Sequence, residues 1–455
     1  MLLYIIISFV VLINSLQWGD ALSCEAKDPN IIAQNLANAI KFPTISQSLD
    51  SEIPTNYTPY TQFITYLETT YPLVHTKLNR TVVNQYSLLF EWKGRNRRLK
   101  PIFINGHYDV VPVEPSQWSV DPFGGVILNG TIWGRGAIDN KLIVIAALEA
   151  VESLLLKSFI PERTVFLAFG HDEEIGGNDG HKKISELVQS RNITAEMIID
   201  EGLPIMAPGF LPGLITQTTA MVGVFEKGYI FYNITAKGQG GHSSMPPSTQ
   251  SPIGILSKAI TTLESNQLPA PNSTMRNEFL EQFPSSTISA VPFLDYMRRT
   301  TTTVTLIRGG IKSNVLATSA TAWISHRVVP GDDIDAIIAR NNRLINDSRI
   351  SVVIEATLPP SPYSNISTDT YKTLRRTLMY TFGGDLLVKS GLMFANTDTR
   401  HYWPVSSNIY RIMPIIGSGA DLGSIHGFNE KLNIDNLVNA VAFYRELIKQ
   451  FNIAD

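Results

Sequence analysis

The chain has 455 residues, of which 44% are hydrophobic and 17% charged. That is roughly three typical domain lengths, so two domains or one large one are expected. The composition supplies ample core and excludes disorder as the main state. Net charge is −3 and no basic run stands out, which argues against nucleic acid as the main partner.

The first element is apolar. Met1 to Leu16 reads MLLYIIISFVVLINSL, followed by the small residues Gly19, Ala21 and Ser23. This pattern predicts a secretory signal peptide over 1–23. A spanning helix needs about 20 apolar residues, and Asn14 and Ser15 already interrupt the run. An uncleaved anchor and a buried helix stay open as alternatives. Asn-x-Ser/Thr sequons begin at Asn56, Asn79, Asn129, Asn192, Asn233, Asn272, Asn346 and Asn365. They are glycan acceptors only in an exported chain. The expectation is a secreted glycoprotein, with the secretory-pathway lumen or membrane anchoring as alternatives. Cys24 is the only cysteine, so no internal disulfide contributes.

Short apolar runs then alternate with helical patterns. Strands are predicted at Pro101–Asn105 (PIFIN), Thr164–Phe169 (TVFLAF) and Met197–Asp200 (MIID), with a largely buried helix over Lys141–Leu156. Strands alternating with helices imply an α/β domain with a mostly parallel sheet. After about Ala220 the pattern changes. Phe225–Ala236 reads as a strand, Ser251–Leu263 as a helix, and Thr301–Arg308 and Thr318–Val328 as strands. Asp332–Ile345 reads as a helix and Ser351–Glu355 as a strand. That β-α-β-β-α-β order is ferredoxin-like. The expected division is 24–221 and 361–455 for the α/β domain, with an α+β domain inserted at 222–360.

In an open parallel sheet, ligands sit beyond the carboxyl ends of the strands. After PIFIN come His107 and Asp109. After TVFLAF come His171, Asp172, Glu173 and Glu174. After MII come Asp200 and Glu201, and Asp139 precedes the long helix. Imidazoles and carboxylates together suit a borderline cation such as Zn²⁺, and two ions can share one carboxylate. His107 and Asp109 lie two apart, so the acid can fix the imidazole tautomer. Of the pair Glu173–Glu174, one can bind metal while the other serves as base. Carboxylates gathered without a cation would raise one another's pKa. Taken singly, each residue also has an ordinary reading: Asp139 as a helix cap, the Glu pair as a solvated loop.

The ensemble resembles the zinc-dependent aminoacylase/carboxypeptidase metallopeptidase family, in the branch of carboxypeptidase S and the N-fatty-acyl-amino-acid synthase/hydrolases. The resemblance rests on GHYDVVP (Gly106–Pro112), WSVDPFGG (Trp118–Gly125), NGTIWGRGAIDNK (Asn129–Lys141) and DEEIGG (Asp172–Gly177). KGQGGHSSMPP (Lys237–Pro247), SNVLA (Ser313–Ala317), DTRHY (Asp398–Tyr402) and IHGFNE (Ile425–Glu430) continue it in family order. It implies two zinc ions, one on His107, Asp139 and Asp200, the other on Asp139, Glu174 and His426. Glu173 would be the general base and acid, with Asp109 orienting His107. The inserted domain would be a lid whose His242 reaches the reacting carbonyl. Arg400 would pair with an amino acid's carboxylate, with Asn314 a polar contact nearby. Asn140 and Ala395-Asn396-Thr397 depart from the family pattern.

The implied activity is hydrolysis, and reversible formation, of N-fatty-acyl amino acids. The alternative is carboxypeptidase action on short peptides, and a binding or receptor module that has lost catalysis is a third reading. The implied partner is a small N-acyl amino acid or short peptide, with no stable membrane span once the signal is cleaved. A homodimer through the lid, and supply of His242 from a neighbouring subunit, stay open.

Overall fold

The structure is a computed structural model that describes residues 27–47, 53–271 and 275–452. The apolar run Met1–Leu16, Cys24 and the sequon at Asn272 lie outside the described residues. The strands in chain order are β1 (Asn79–Val83), β2 (Ser87–Trp92), β3 (Ile102–His107), β4 (Val126–Leu128), β5 (Thr131–Trp133) and β6 (Val165–Gly170). Then come β7 (Met197–Met206), β8 (Thr219–Glu226), β9 (Gly228–Lys237), β10 (Gly241–His242), β11 (Thr301–Gly309) and β12 (Val315–Leu316). The last are β13 (Ser319–Val328), β14 (Ile350–Leu358), β15 (Leu387–Met393), β16 (Ile409–Gly417) and β17 (Lys431–Asn433).

The chain divides into two units. The first takes Met1–Val222, Asn365–Val388 and Thr397–Asp455, and the second Gly223–Ser364 and Lys389–Asn396. The last of these pieces falls inside 361–455, which the sequence reading gives wholly to the α/β domain. It begins within β15, where no break in the residue pattern marks a boundary.

The first unit is built on a sheet that runs β1-β2-β6-β3-β7-β16. Strands β6, β3, β7 and β16 pair in parallel, while β1 and β2 add an antiparallel edge. Every residue of β3 and β6 is buried, as continuous apolar runs require when helices cover both faces. The predicted helix Lys141–Leu156 is present over those residues, and nearly all of it is buried. It packs with helices Pro29–Ile40 and Ile434–Gln450. Phe103, Phe166 and Ala168 of β3 and β6 pack instead with Ile184 and Val188 of helix His181–Ser190.

The second unit carries a four-stranded antiparallel sheet in the order β11-β13-β9-β14. With helices Pro252–Ser265 and Ile334–Ile345 the chain order is β-α-β-β-α-β, the ferredoxin-like arrangement. β9 alternates buried and half-buried residues. Its Ile230, Tyr232 and Ile234 meet Leu256, Ala259 and Leu263 from one helix and Ile337 from the other. The stretch read as one strand from Phe225 is two, β8 and β9, separated at Lys227, whose N–H donates to the Met393 carbonyl at 3.1 Å.

Candidate active site

At and beyond the carboxyl ends of β3 and β6, and partway along β7 past its pairing with β3, the first unit gathers two histidines and five acids. His107 is the last residue of β3, and its side chain is 1% exposed. Its Nδ1–H faces the Asp109 backbone carbonyl at 3.1 Å and Asp109 Oδ1 at 3.2 Å. Its Nε2 stands 3.1 Å from Asp139 Oδ1 and 3.5 Å from Glu201 Oε1. The other Asp139 oxygen lies 3.1 Å from His426 Nε2, which is also 3.0 Å from Glu174 Oε2. Asp139 therefore stands between the two imidazoles with one oxygen for each. His426 adopts a left-handed backbone, φ +58°, and is the exposed member of the set.

These spacings suit metal ions. Ligands about 2.0–2.1 Å from a tetrahedral Zn²⁺ stand roughly 3.3 Å from one another, and the four contacts above span 3.0–3.5 Å. His107, Glu173 and Glu201 offer atoms within 4.8 Å of one another, as do His107, Asp139 and Glu174. The charge balance agrees. Burial, then the neighbouring Asp139, push Glu174 up to about 7. Hydrogen bonds to Asp139 and Glu174 push His426 up to about 11. Against the cost of burial, Glu201, Asp109 and Asp139 hold His107 well above the usual imidazole range. Protons on imidazoles thus balance clustered carboxylates, a place that dications fill better.

In this geometry Glu201, and not the expected Asp200, stands beside His107. Consecutive side chains in a strand point to opposite faces, and in β7 it is Glu201 that approaches His107. Asp200 is buried, accepts from the Glu201 N–H at 2.8 Å and pairs in register with Arg411 of β16. Asn140 donates from its Nδ2 to Glu201 Oε2 at 2.7 Å, which an aspartate there could not do unless protonated. Lower charge beside Asp139 thus comes with a hydrogen bond to the carboxylate opposite.

Asp109 does more than orient His107. Its oxygens accept the backbone N–H groups of Glu173 and Glu174 at 3.0 and 3.1 Å, and the Ser46 hydroxyl at 2.8 Å. Despite complete burial, His107, then the Ser46 hydroxyl and the Glu174 N–H, hold it below the usual carboxylate range. Glu430, also buried, does the same for the Asp139 loop. It accepts the N–H groups of Gly136, Ile138 and Asp139 at 3.1, 2.7 and 3.0 Å, and the Arg135 guanidinium at 2.7 Å. Sequence reasoning missed Ser46 and the role of Glu430, although Glu430 ends the IHGFNE motif.

Arg400, expected beside a substrate carboxylate, stands next to Glu173 in the structure. It donates from Nη2 to Glu173 Oε1 at 3.0 Å. Burial, then the Glu201 charge, raise Glu173 well above its ordinary value, and Arg400 acts against that rise. His171 and Asp172 turn elsewhere, His171 to the Ser87 hydroxyl at 2.6 Å and Asp172 to the Asp179 N–H at 2.7 Å.

His242 and Asn314 lie in the second unit and are brought together there. β10 pairs with β12, His242 opposite Val315, and the Ser243 N–H donates to the Asn314 carbonyl at 3.2 Å. Both residues are exposed. The Ser244 N–H donates to His242 Nδ1 at 3.2 Å, which places the neutral ring's proton on Nε2.

A parallel α/β sheet with a two-histidine carboxylate cluster at its carboxyl edge, and a ferredoxin-like insertion, defines a metal-dependent hydrolase. The chain belongs to peptidase family M20/M25/M40, whose model matches residues 103–450. It is 45% identical over 424 residues to probable carboxypeptidase S-like 1 of Dictyostelium discoideum, covering 92% of this chain and 87% of that one. It is 36% identical over 448 residues to the N-fatty-acyl-amino acid synthase/hydrolase PM20D1 of Mus musculus, covering 92% and 87%. Its fold matches the crystal structure of an M20 family metallo-carboxypeptidase, Sso-CP2 of Sulfolobus solfataricus. That match has a TM-score of 0.72 at 18% identity and covers 93% and 99%.

Proposed function

We propose that the protein is a di-zinc amidohydrolase that releases an amino acid with a free carboxylate from the acyl group on its nitrogen. The observation that carries this reading is the sharing of Asp139 between His107 and His426, with the half-buried Glu173 beside them. Zn²⁺ ions on His107, Asp139 and Glu201, and on His426, Asp139 and Glu174, would polarise the scissile carbonyl and acidify water there. Glu173 removes the proton of the attacking water and returns it to the leaving nitrogen. Burial raises its proton affinity, which suits a group that takes up a proton and gives it back. Asp109 keeps the His107 proton on Nδ1 and leaves Nε2 as a ligand. Arg400 orients Glu173, and His242, with Nε2–H available, is our candidate donor to the developing oxyanion.

For the acyl side, the 45% identity to a carboxypeptidase S-like protein favours a peptide. The 36% identity to an N-fatty-acyl-amino acid synthase/hydrolase favours a fatty acyl chain, and with it reversal of the same reaction. A paired turnover assay decides between them: an N-oleoyl amino acid against a short peptide ending in the same residue, each with and without a chelator. Chelator-sensitive release from the peptide alone selects the first reading, and from the oleoyl substrate alone the second. Release from neither contradicts the proposal.

We also read the chain as exported. Of the seven described sequon asparagines, six are exposed and Asn233 is half-buried. Among the described residues no helix is long and apolar enough to cross a membrane. Recovery of an N-glycosidase-sensitive protein from the medium of a secreting host tests this.

A further inference from the structure

The loop joining β2 to β3 reads KGRNRRLK from Lys93 to Lys100, five cations in eight residues of a chain with net charge −3. The reading that no basic run stands out does not hold for this loop, whose charge the net charge of the whole chain conceals. Lys93, Arg95, Arg97, Arg98 and Lys100 are all exposed. Among the described residues, no ion pair engages their charged ends.

The loop is held rigidly. Gly94 N–H donates to Thr164 Oγ1 at 3.1 Å, Arg95 N–H to the Pro161 carbonyl at 3.0 Å and Asn96 N–H to the Glu162 carbonyl at 2.9 Å. A Cβ on Gly94 would come within 2.5 Å of the Arg163 and Glu162 backbone, so only glycine allows this approach. Beside the loop opens a cavity of about 310 Å³, lined by Lys93, Arg97, Arg98, Lys100, Thr164 and Thr194 among others. Glu91 is the one acid in its lining, and its carboxylate accepts from Asn79 Nδ2 at 3.2 Å. The lining residues Lys100, Pro101 and Thr164 precede β3 and β6. The cavity thus opens at the sheet edge opposite to His107 and Glu173.

We infer that this loop and cavity are a docking surface for a sulfated polysaccharide, an inference that rests on the export reading above. A row of exposed, unpaired cations on an anchored backbone matches a polymer of repeated sulfates and carboxylates. The hydroxyls of Thr164 and Thr194 on the same rim suit sugar hydroxyls. An acidic bilayer would need apolar side chains free to enter it. The loop's one apolar residue, Leu99, is half-buried, and Phe166 in the cavity wall is 2% exposed.

The test is calorimetric titration of the full chain with a heparin octasaccharide at several NaCl concentrations. Asn192 stands on the cavity rim and begins a sequon, so the protein is titrated after enzymatic deglycosylation. The triple variant K93Q/R97Q/R98Q should bind at least a hundredfold more weakly. It should also lower the slope of log K against log salt by about three, one per cation removed. Turnover of a soluble substrate should be unchanged, because the loop lies at the opposite sheet edge. Native protein that binds no better than the triple variant overturns the inference. So does binding to phosphatidylserine vesicles in place of heparin. A protein retained inside cells would defeat the export reading while leaving heparin binding intact, so the two failures are distinguishable.

Discussion

Burial, then the Glu201 charge, raise the proton affinity of Glu173, and His107, then the Arg400 guanidinium, oppose the rise. A glutamine there keeps the size and loses the proton exchange. Glu173→Gln should lower kcat by about 10²–10⁴ while metal content, read by elemental analysis, stays that of the native chain. Arg400 separates two roles. If it orients Glu173, Arg400→Lys loses the planar fork and kcat should fall about tenfold with KM little changed. A rise in KM at constant kcat would return Arg400 to recognition of the substrate carboxylate. Glu201 and Asp200 give a third comparison. Glu201→Gln should weaken one of the two metal ions by roughly 10–100-fold. Asp200→Asn should leave both bound, and loss of an ion from it alone would reverse the assignment made from β7.

At the scale of elements, much was legible because it is written in local periodicity. The helix Lys141–Leu156 and strands β3 and β6 follow from unbroken apolar runs, which signal burial on both faces. Placement of acids and imidazoles just after those strands pointed to the carboxyl edge of the sheet. What could not be read is side-chain direction where two acids adjoin, since either of Asp200 and Glu201 fits the residue pattern. The partners of Glu430 were equally hidden, because hydrogen bonds across 291 to 295 positions leave no local trace.

The ferredoxin-like unit offers its own test at this scale. His326 is fully buried, with Nδ1 2.9 Å from the Thr302 hydroxyl and Nε2 2.9 Å from Asn341 Nδ2. Burial pushes it down to about 4. The unfolded chain therefore binds the extra proton first, and stability falls as pH drops from about 6.5 toward 4. Between pH 7.5 and 5 this group should cost about 2 kcal/mol. Denaturant unfolding of His326→Gln at both pH values should show a smaller acid loss than the native chain by about that amount. An identical loss in the two proteins would show that His326 is not held neutral.

On the scale of the whole molecule, the site unites residues from 107 to 426, so the first unit's fold and its chemistry depend on the same contacts. Asp109 and Glu430 each tie a ligand-bearing loop through backbone N–H groups. Bound cations should stabilise this arrangement by mass action. Chelation should lower the melting temperature, and restored Zn²⁺ should raise it again. The most direct test of the central claim measures metal content and turnover on one stripped and reconstituted sample, with a substrate that bears a free C-terminal carboxylate. The account predicts two ions per chain, no turnover when stripped, and recovery that reaches completion only as the second ion binds. Full turnover by metal-free protein, or complete recovery with a single ion, would contradict it.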